Sequence, residues 1–406
     1  MRKPQPVLAV LLAASVYTSV SHASPLWQQD FLSAIKAHPA AASAEASLQA
    51  QAFQTDAAGK PLYNPEIDGE IERLTRSDAT TDFQFGVSQT IDWWDKGKAR
   101  LSQAKADYAA QRYAYQTVLA SLSADALSAL LELNISSDLH LLALEQEQRL
   151  QALLALVEKR HAAGDVGELD VELTFLSLTQ RLNETAAIEA RMKRAEHAVK
   201  AYLPADVISQ SISTSFWQKL GEDNIDRLIP QHPKVQQAYF TWQARRTGIK
   251  VAETATKADP TFGLYAGAEA REALIGVQFS VPLFVRNDFK AQVSRVSQQA
   301  LAAESTYQSI KQQQQAAAMA AHSALRQFQQ HLDRWVNGGQ ARVMRSDTLL
   351  QRQWELGDIS TSDYLRALQQ RTATLESGLT LKGQQQQSVI QWLQASGQLV
   401  RVLSQP

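Results

Sequence analysis

The sequence predicts a mainly α-helical chain, built as a tandem repeat with a small β portion in each half. Three observations lead there. One order of elements (helix, strand pair, very long helix, glycine turn, return helix) occurs twice, at an offset of 194 residues at the His-Pro pairs and 193 at the glycine turns. In each copy two short runs of alternating residues stand directly before a long stretch of helical periodicity. Only 17 glycines and 12 prolines serve 406 residues, and the long stretches hold almost none of them.

Composition narrows the function before any motif is read. The formal charge is −1, so nothing favours nucleic acid. The chain has no cysteine, which excludes thiolate metal sites, disulfides, cysteine nucleophiles and a lipid on an N-terminal cysteine. Residues 1–23 have the pattern of an export signal. Arg2 and Lys3 precede an apolar run from Val7 to Val20, and Ser21-His22-Ala23 offers small residues where a signal peptidase cuts. The run is too short to span a bilayer comfortably. No later stretch of about 20 apolar residues is expected to span one, so a membrane crossing would have to use strands.

The first repeat is expected over 24–204. Leu26 to Ala58 reads as one helix with His38-Pro39 near its start. The hairpin, 65–92, follows. Its first strand sets Ile67, Gly69 and Ile71 on one face and Glu66, Asp68, Glu70 and Glu72 on the other. Its second sets Phe83, Phe85, Val87 and Ile91 against Asp82, Gln84, Ser88 and Thr90, after a polar turn at Arg76 to Thr81. Trp93 and Trp94 come next. Gly97 to Gly164 encloses neither glycine nor proline, a rod of about 100 Å. Such a length implies a coiled coil or an extended bundle. The rod breaks at the turn 164–167, Gly164-Asp165-Val166-Gly167, and a return helix runs to about Tyr202, before Pro204. Leu169, Leu173 and Leu176 form one stripe on it, and Phe175, Leu178 and Leu182 another, which predicts neighbours on both sides.

Residues 205–230 read as an irregular connector, and the second repeat as 231–406. His232-Pro233 echoes His38-Pro39, and Asp259-Pro260 echoes Asn64-Pro65. The second hairpin, 260–283, alternates Phe262, Leu264 and Ala266 with Gly263, Tyr265 and Gly267. Its other strand alternates Ile275, Val277, Phe279, Val281 and Leu283 with Gly276, Gln278 and Ser280. A second rod from Asn287 to Leu356 contains Gly338-Gly339, a candidate kink. It breaks at the turn 357–360, which opens Gly357-Asp358-Ile359. The return helix carries a heptad seam at Leu365, Leu368, Thr372, Leu375 and Leu379, aligned with Glu172, Phe175, Thr179, Leu182 and Ala186.

Two short strands per repeat cannot close a barrel, and open strand edges are not tolerated in hydrocarbon. Several chains must therefore contribute strands if the apolar faces meet lipid. The plain alternative is a soluble sheet packed on a helix. The strands are of a length that suits a tilted membrane strand. Trp93 and Trp94 stand where an interfacial belt belongs.

This organisation resembles the outer membrane efflux proteins, the TolC-like channels, and is most similar to the CzcC-like cation-efflux branch. The resemblance rests on Asn64-Pro65-Glu66, on Gly86-Val87-Ser88-Gln89, on Gly276-Val277 through Pro282-Leu283 with Arg286-Asn287, and on the two turns. It covers almost the whole chain after residue 23. It implies a homotrimer with a twelve-strand barrel in the outer membrane and a helical tunnel into the periplasm. An inner-membrane RND-type pump and a periplasmic adaptor would be partners, the adaptor docking at Gly164, Asp165, Val166, Gly167, Gly357, Asp358 and Ile359, with the connector in an equatorial belt. It also implies a periplasmic gate just past the second turn. Asp363 matches an acidic gate position, Arg366 stands three residues on, and Asp170 is the first-repeat counterpart. The plain alternative is that Asp358 and Asp363 cap the return helix.

Glu66, Asp68, Glu70 and Glu72, with Gln84 and Ser88, would line the lumen, either as a cation-favouring surface or simply as the wet face such a strand requires. Catalysis finds no support. The histidines are scattered, with no HExxH pattern, nucleophile elbow or phosphate loop, and no cofactor is expected. A periplasmic coiled-coil adaptor is the competing class, and drugs or an exported polypeptide are competing cargoes. An adaptor would carry one hairpin beside a β-rich domain, whereas here strand pairs and rods both recur.

Overall fold

The computed structural model describes residues 27–73, 81–210, 212–269 and 272–405. The expected export signal, 1–23, and most of the first hairpin's turn, 74–80, lie outside the described residues.

The N-terminal helix is two helices, not one. α1 (Trp27–Ala37) stops at His38, and α2 (Pro39–Ala58) starts at the proline. Pro39 has no N–H to give the previous turn, but at the first helical position none is needed. His38 is the N-cap and accepts from the Ala40 N–H. α7 (Pro233–Ala255) opens the same way, with His232 accepting from Lys234.

β1 (Glu66–Arg73), β2 (Thr81–Thr90), β3 (Thr261–Glu269) and β4 (Glu272–Ser280) form one antiparallel sheet in chain order. The two repeats meet at the β2–β3 ladder. β1 and β4 are the edges, each paired on one side only.

α3 (Lys96–Ala162) is unbroken over 67 residues. Contrary to the composition-based expectation, it contains a stretch apolar enough to cross a membrane by length and composition alone. That resemblance has a packing origin. Leu119, Leu122, Leu127, Leu130, Leu131, Ile135 and Leu139 all lie in the main hydrophobic core.

α4 (Glu168–Val199) returns along α3. Its buried stripe is Thr174, Leu178, Arg181 and Thr185, continued by half-buried Val171 and Ile188, a heptad spacing. Neither predicted stripe is the buried one: only Leu178 is buried and Leu173 half-buried, and the rest are uncovered in a single copy. Leu169, Phe175, Leu176 and Leu182 are all exposed. The cause is position, because α4 packs mainly on α3.

The second rod starts at Lys290 rather than Asn287 and is interrupted. α8 (Lys290–Arg334) passes through a π turn (Trp335–Gly339) into α9 (Gln340–Glu355). α10 (Thr361–Ala395) returns between α3, α8 and α9, with Leu365, Leu368 and Thr372 of the predicted seam buried. The connector is more ordered than expected. It holds the short helices α5 (Ala205–Ile208) and α6 (Ile225–Leu228). Its Phe216, Trp217 and Ile229 join Trp27, Phe31, Trp392 and the C-terminal α11 (Leu399–Leu403) in the main core. A smaller core at the turn end unites Leu153, Val157, Trp354, Tyr364, Leu365 and Leu368.

Candidate functional site

The sheet separates two chemistries. Its register aligns Ile67 with Val87, Leu264 and Val277 across all four strands, and Gly69 with Phe85, Ala266 and Ile275. None of the five large apolar side chains among Ile67, Phe85, Val87, Leu264 and Val277 is less than half exposed. Ile275 is 85% exposed. A face this apolar and this uncovered marks a surface that another chain or a membrane covers. On the other face Glu66 stands opposite Ser88, Asp68 opposite Gly86, Glu70 opposite Gln84 and Glu72 opposite Asp82. This polar side is the more enclosed one. Gly86 and Ser88 are buried, and Glu70, Glu72, Asp82, Gln84 and Glu269 border a shallow hollow of about 170 Å³. The six residues predicted for the lumen therefore share one face.

Where sheet meets rods, the two repeats are tied together. The Lys96 ammonium lies 2.8 Å from Asp259, whose side chain is almost fully buried, and the Tyr63 hydroxyl donates to the same carboxylate at 2.7 Å. Asp92 accepts the free N–H groups of Lys96 and Gly97, both at 2.8 Å, which satisfies the start of α3. Trp94 donates its indole N–H to the Ala258 carbonyl and carries the Lys257 ammonium over its ring. Trp93 is 63% exposed and Trp94 40%, at the rod end of the sheet. A tryptophan with one end wet and the other apolar suits a membrane–water boundary.

The two glycine turns have the same construction. Gly164 and Gly357 have φ of +82° and +78°. Asp165 donates its N–H to the Arg160 carbonyl and Asp358 to that of Gln353. Gly164 and Gly357 donate to His161 and Trp354. These pairs are complete Schellman closures, and the left-handed residue makes glycine the natural occupant. Asp358 therefore closes α9, and the cap of α10 is Ser360. Asp363 does not sit well inside α10. It is the third helical residue, its N–H bonded to the Ser360 hydroxyl. Its carboxylate takes the Ser360 O–H at 2.7 Å and the Arg366 guanidinium at 3.1 Å. Asp170 occupies the matching position in α4 and accepts the Gly167 N–H.

Sequence spacing missed the contacts that join the two hairpins. Asp347 on α9 takes both 2.8 and 2.7 Å bonds from Arg149 on α3 and lies 3.5 Å from Arg371 on α10. Arg181 on α4 pairs with Glu376 on α10 at 3.0 Å. Arg371 and Arg181 are both nine-tenths buried. Residues this far apart in sequence give no local signal. No group of three or more His, Asp or Glu suited to hold a metal occurs among the described residues.

The two-repeat helical hairpin fold with its open-edged, two-faced sheet is the fold of solved outer-membrane channels. The chain matches the model of the outer membrane efflux protein family over residues 32–204. It is 26% identical over 279 residues to the pyoverdine export outer membrane protein OpmQ of Pseudomonas aeruginosa, a match spanning 59% of this chain and 57% of OpmQ. Its fold is shared with the outer-membrane channel OprN (TM-score 0.77, 15% identity, 91% of this chain and 90% of that one). It is shared too with the CmeC outer membrane channel of Campylobacter jejuni (TM-score 0.74, 16% identity, 98% and 94%).

Proposed function

We propose that this protein is the outer-membrane duct of a tripartite exporter, passing cargo passively from an inner-membrane RND-type pump and a periplasmic adaptor to the exterior. The observation that carries this function is the sheet. It has an uncovered apolar face, an opposite acidic face and two unpaired edges, a combination that is stable in lipid only when further strands close it. A homotrimer supplies twelve strands and one barrel. The polar face with Glu66, Asp68, Glu70, Glu72, Gln84 and Ser88 then lines the lumen, and Trp93 and Trp94 lie at the headgroups. The uncovered stripe of α4 is free to pack on the neighbouring copy, so that the rods continue the barrel as a tunnel. At the far end the Gly164-Asp165-Val166-Gly167 and Gly357-Asp358-Ile359 turns receive the adaptor. Asp170, Asp363 and Arg366 stand at the mouth as gate residues. Residues 1–23 are the export signal, 24–204 and 231–406 the two repeats, and 205–230 the belt.

The cargo we assign is cationic, metal cations first. Three copies of the acidic β1 face concentrate negative potential in a narrow lumen, and the CzcC-like pattern points the same way. The likeness to OpmQ favours a second cargo class, an organic solute such as the pyoverdine in that protein's name.

Fractionation tests the duct itself. Heat-resistant trimers in detergent extracts of outer membranes are the expected result. A soluble monomer released by osmotic shock contradicts it.

A further inference from the structure

The internal repeat specifies how one copy joins the next. The two hairpins correspond strand by strand: counting from their Asn64-Pro65 and Asp259-Pro260 starts sets Ile67 on Phe262, and their ladder partners Val87 and Phe279 then correspond. That correspondence sets Ser88 on Ser280. The ladder between the hairpins pairs Val87 with Leu264 and Gln84 with Gly267. Carried forward by one repeat, the same ladder would run from the free edge of β4 to the free edge of β1 in a second copy.

Resting on the trimeric duct proposed above, we propose that β4 pairs antiparallel with β1 of the partner subunit in one register: Val277 opposite Ile71 of the partner subunit, Phe279 opposite its Gly69, and Gln278 opposite its Glu70. Three features support this pairing, the first and third of them its register. First, both faces stay pure. Val277 meets Ile71 and Phe279 meets Gly69 on the lipid side, while Gln278 meets Glu70 and Ser280 meets Asp68 on the polar side. A slip of one residue would mix them.

Second, Pro282 falls where it does no harm. Its counterpart is Thr90. The next residue, Ile91, donates its N–H across to Pro260 on the β3 side, so Thr90 faces the other way. The missing N–H of Pro282 accordingly faces away from the new ladder.

Third, the barrel closes with ordinary geometry. Ile67 leads through Val87, Leu264 and Val277 to Ile71 of the partner subunit, a stagger of four residues per copy. Over three copies that stagger tilts the strands by about 35°, within the usual range for barrels. A register two residues shorter would leave a tilt of only about 19°.

The chain's lack of cysteine makes the test direct. Facing residues have Cα atoms about 4.5–5.5 Å apart, within disulfide range, whereas diagonal neighbours at about 7–8 Å fall outside it. Within one copy, β1 and β4 are separated by two strands, so a disulfide between positions 71 and 277 must join two copies. The experiment oxidises three variants in membranes: I71C/V277C, I71C/F279C and I71C/I275C. We expect I71C/V277C to form a covalent trimer on a non-reducing gel, at least tenfold more than either slipped pair, and to collapse on reduction. Preferential cross-linking of I71C/F279C or I71C/I275C would overturn the register and leave the trimer standing. No cross-link in any variant of a protein that remains trimeric would overturn β4–β1 pairing altogether. A monomer in mild detergent would instead remove the duct on which the register rests.

Discussion

The two repeats share one plan and differ in how tightly they are held. The first hairpin has an unbroken 67-residue rod and a return helix covered on one face. Its ion pair Arg191–Glu132 lies in the open, both side chains more than 40% exposed. The second has a rod interrupted by a π turn and a return helix surrounded on three sides. Its Arg371 is buried beside Asp347. Even the shared His-Pro starts diverge. His38 is half-buried and stacks on Tyr202, while His232 is buried and bonded to the Gln394 carbonyl. The lesson is that a duplicated sequence conserves backbone breaks more faithfully than neighbours. Glycine, proline and the cap fix local geometry, but each copy meets a different surface.

Four substitutions or conditions probe that contrast, the largest effect first. Asp347→Ala leaves Arg371 without an anionic partner in a buried setting. It should cost about 3 kcal/mol in chemical unfolding of the detergent-purified protein, low in the range because Asp347 keeps a quarter of its side chain exposed. Glu132→Ala, its open counterpart, should cost under about 1 kcal/mol. Equal losses would mean that the second hairpin is no more tightly held than the first.

Gly378→Ala sharpens the role of the π turn. A Cβ at Gly378 would sit 2.5 Å from the Trp335 indole, so the ring must move. We expect a loss of about 1–3 kcal/mol, with a change in Trp fluorescence. Unchanged fluorescence would show that the indole does not rest on Gly378.

At the turns the repeats should behave alike. Gly164→Ala and Gly357→Ala each place a Cβ in open space but at positive φ, and each should cost about 1–2 kcal/mol. A difference larger than about 1 kcal/mol would mean that the two turns are not equivalent.

The smallest effect is pH-dependent. Burial holds the His232 imidazole below its ordinary value, so the folded chain favours the neutral ring. Its contribution to stability is present above the ordinary histidine pKa of about 6.5 and is lost as pH falls below it. His232→Asn keeps a cap acceptor and removes the titration. The variant should lose the part of the wild-type acid sensitivity that begins below about pH 6.5. An identical pH profile would exclude His232 as its source.

Much of this architecture was legible in the residues. Alternation in β1 to β4 gave both faces, because a period of two can be satisfied only by a strand with two environments. The turns were legible because Gly164 and Gly357 close long glycine-poor stretches. Three features were not. The break at His38-Pro39 was passed over because Ala-rich sequence on both sides is equally helical. The buried stripe of α4 matches neither predicted apolar stripe, because its buried positions are mostly polar (Thr174, Arg181, Thr185) and carry no hydrophobic signal. The Asp347–Arg149 and Glu376–Arg181 pairs join helices about 200 positions apart in the chain, and nothing local to Arg149 or Arg181 announces them. For the candidate site, the shared polar face and the place of Asp363 in the first turn of α10 follow from spacing, whereas Asp358 closes α9 and leaves the cap of α10 to Ser360. The neck contacts among Tyr63, Lys96 and Asp259 do not follow from spacing.

Single-channel recording in planar lipid bilayers tests the central claim most directly. The purified protein should give discrete conductance steps, with a reversal potential in a salt gradient that favours cations. The preference should relax toward neutrality in the combined variant Glu66→Gln, Asp68→Asn, Glu70→Gln and Glu72→Gln. Unchanged selectivity in that variant would remove the acidic face from the mechanism, and the absence of any conductance from correctly folded protein would contradict the duct itself.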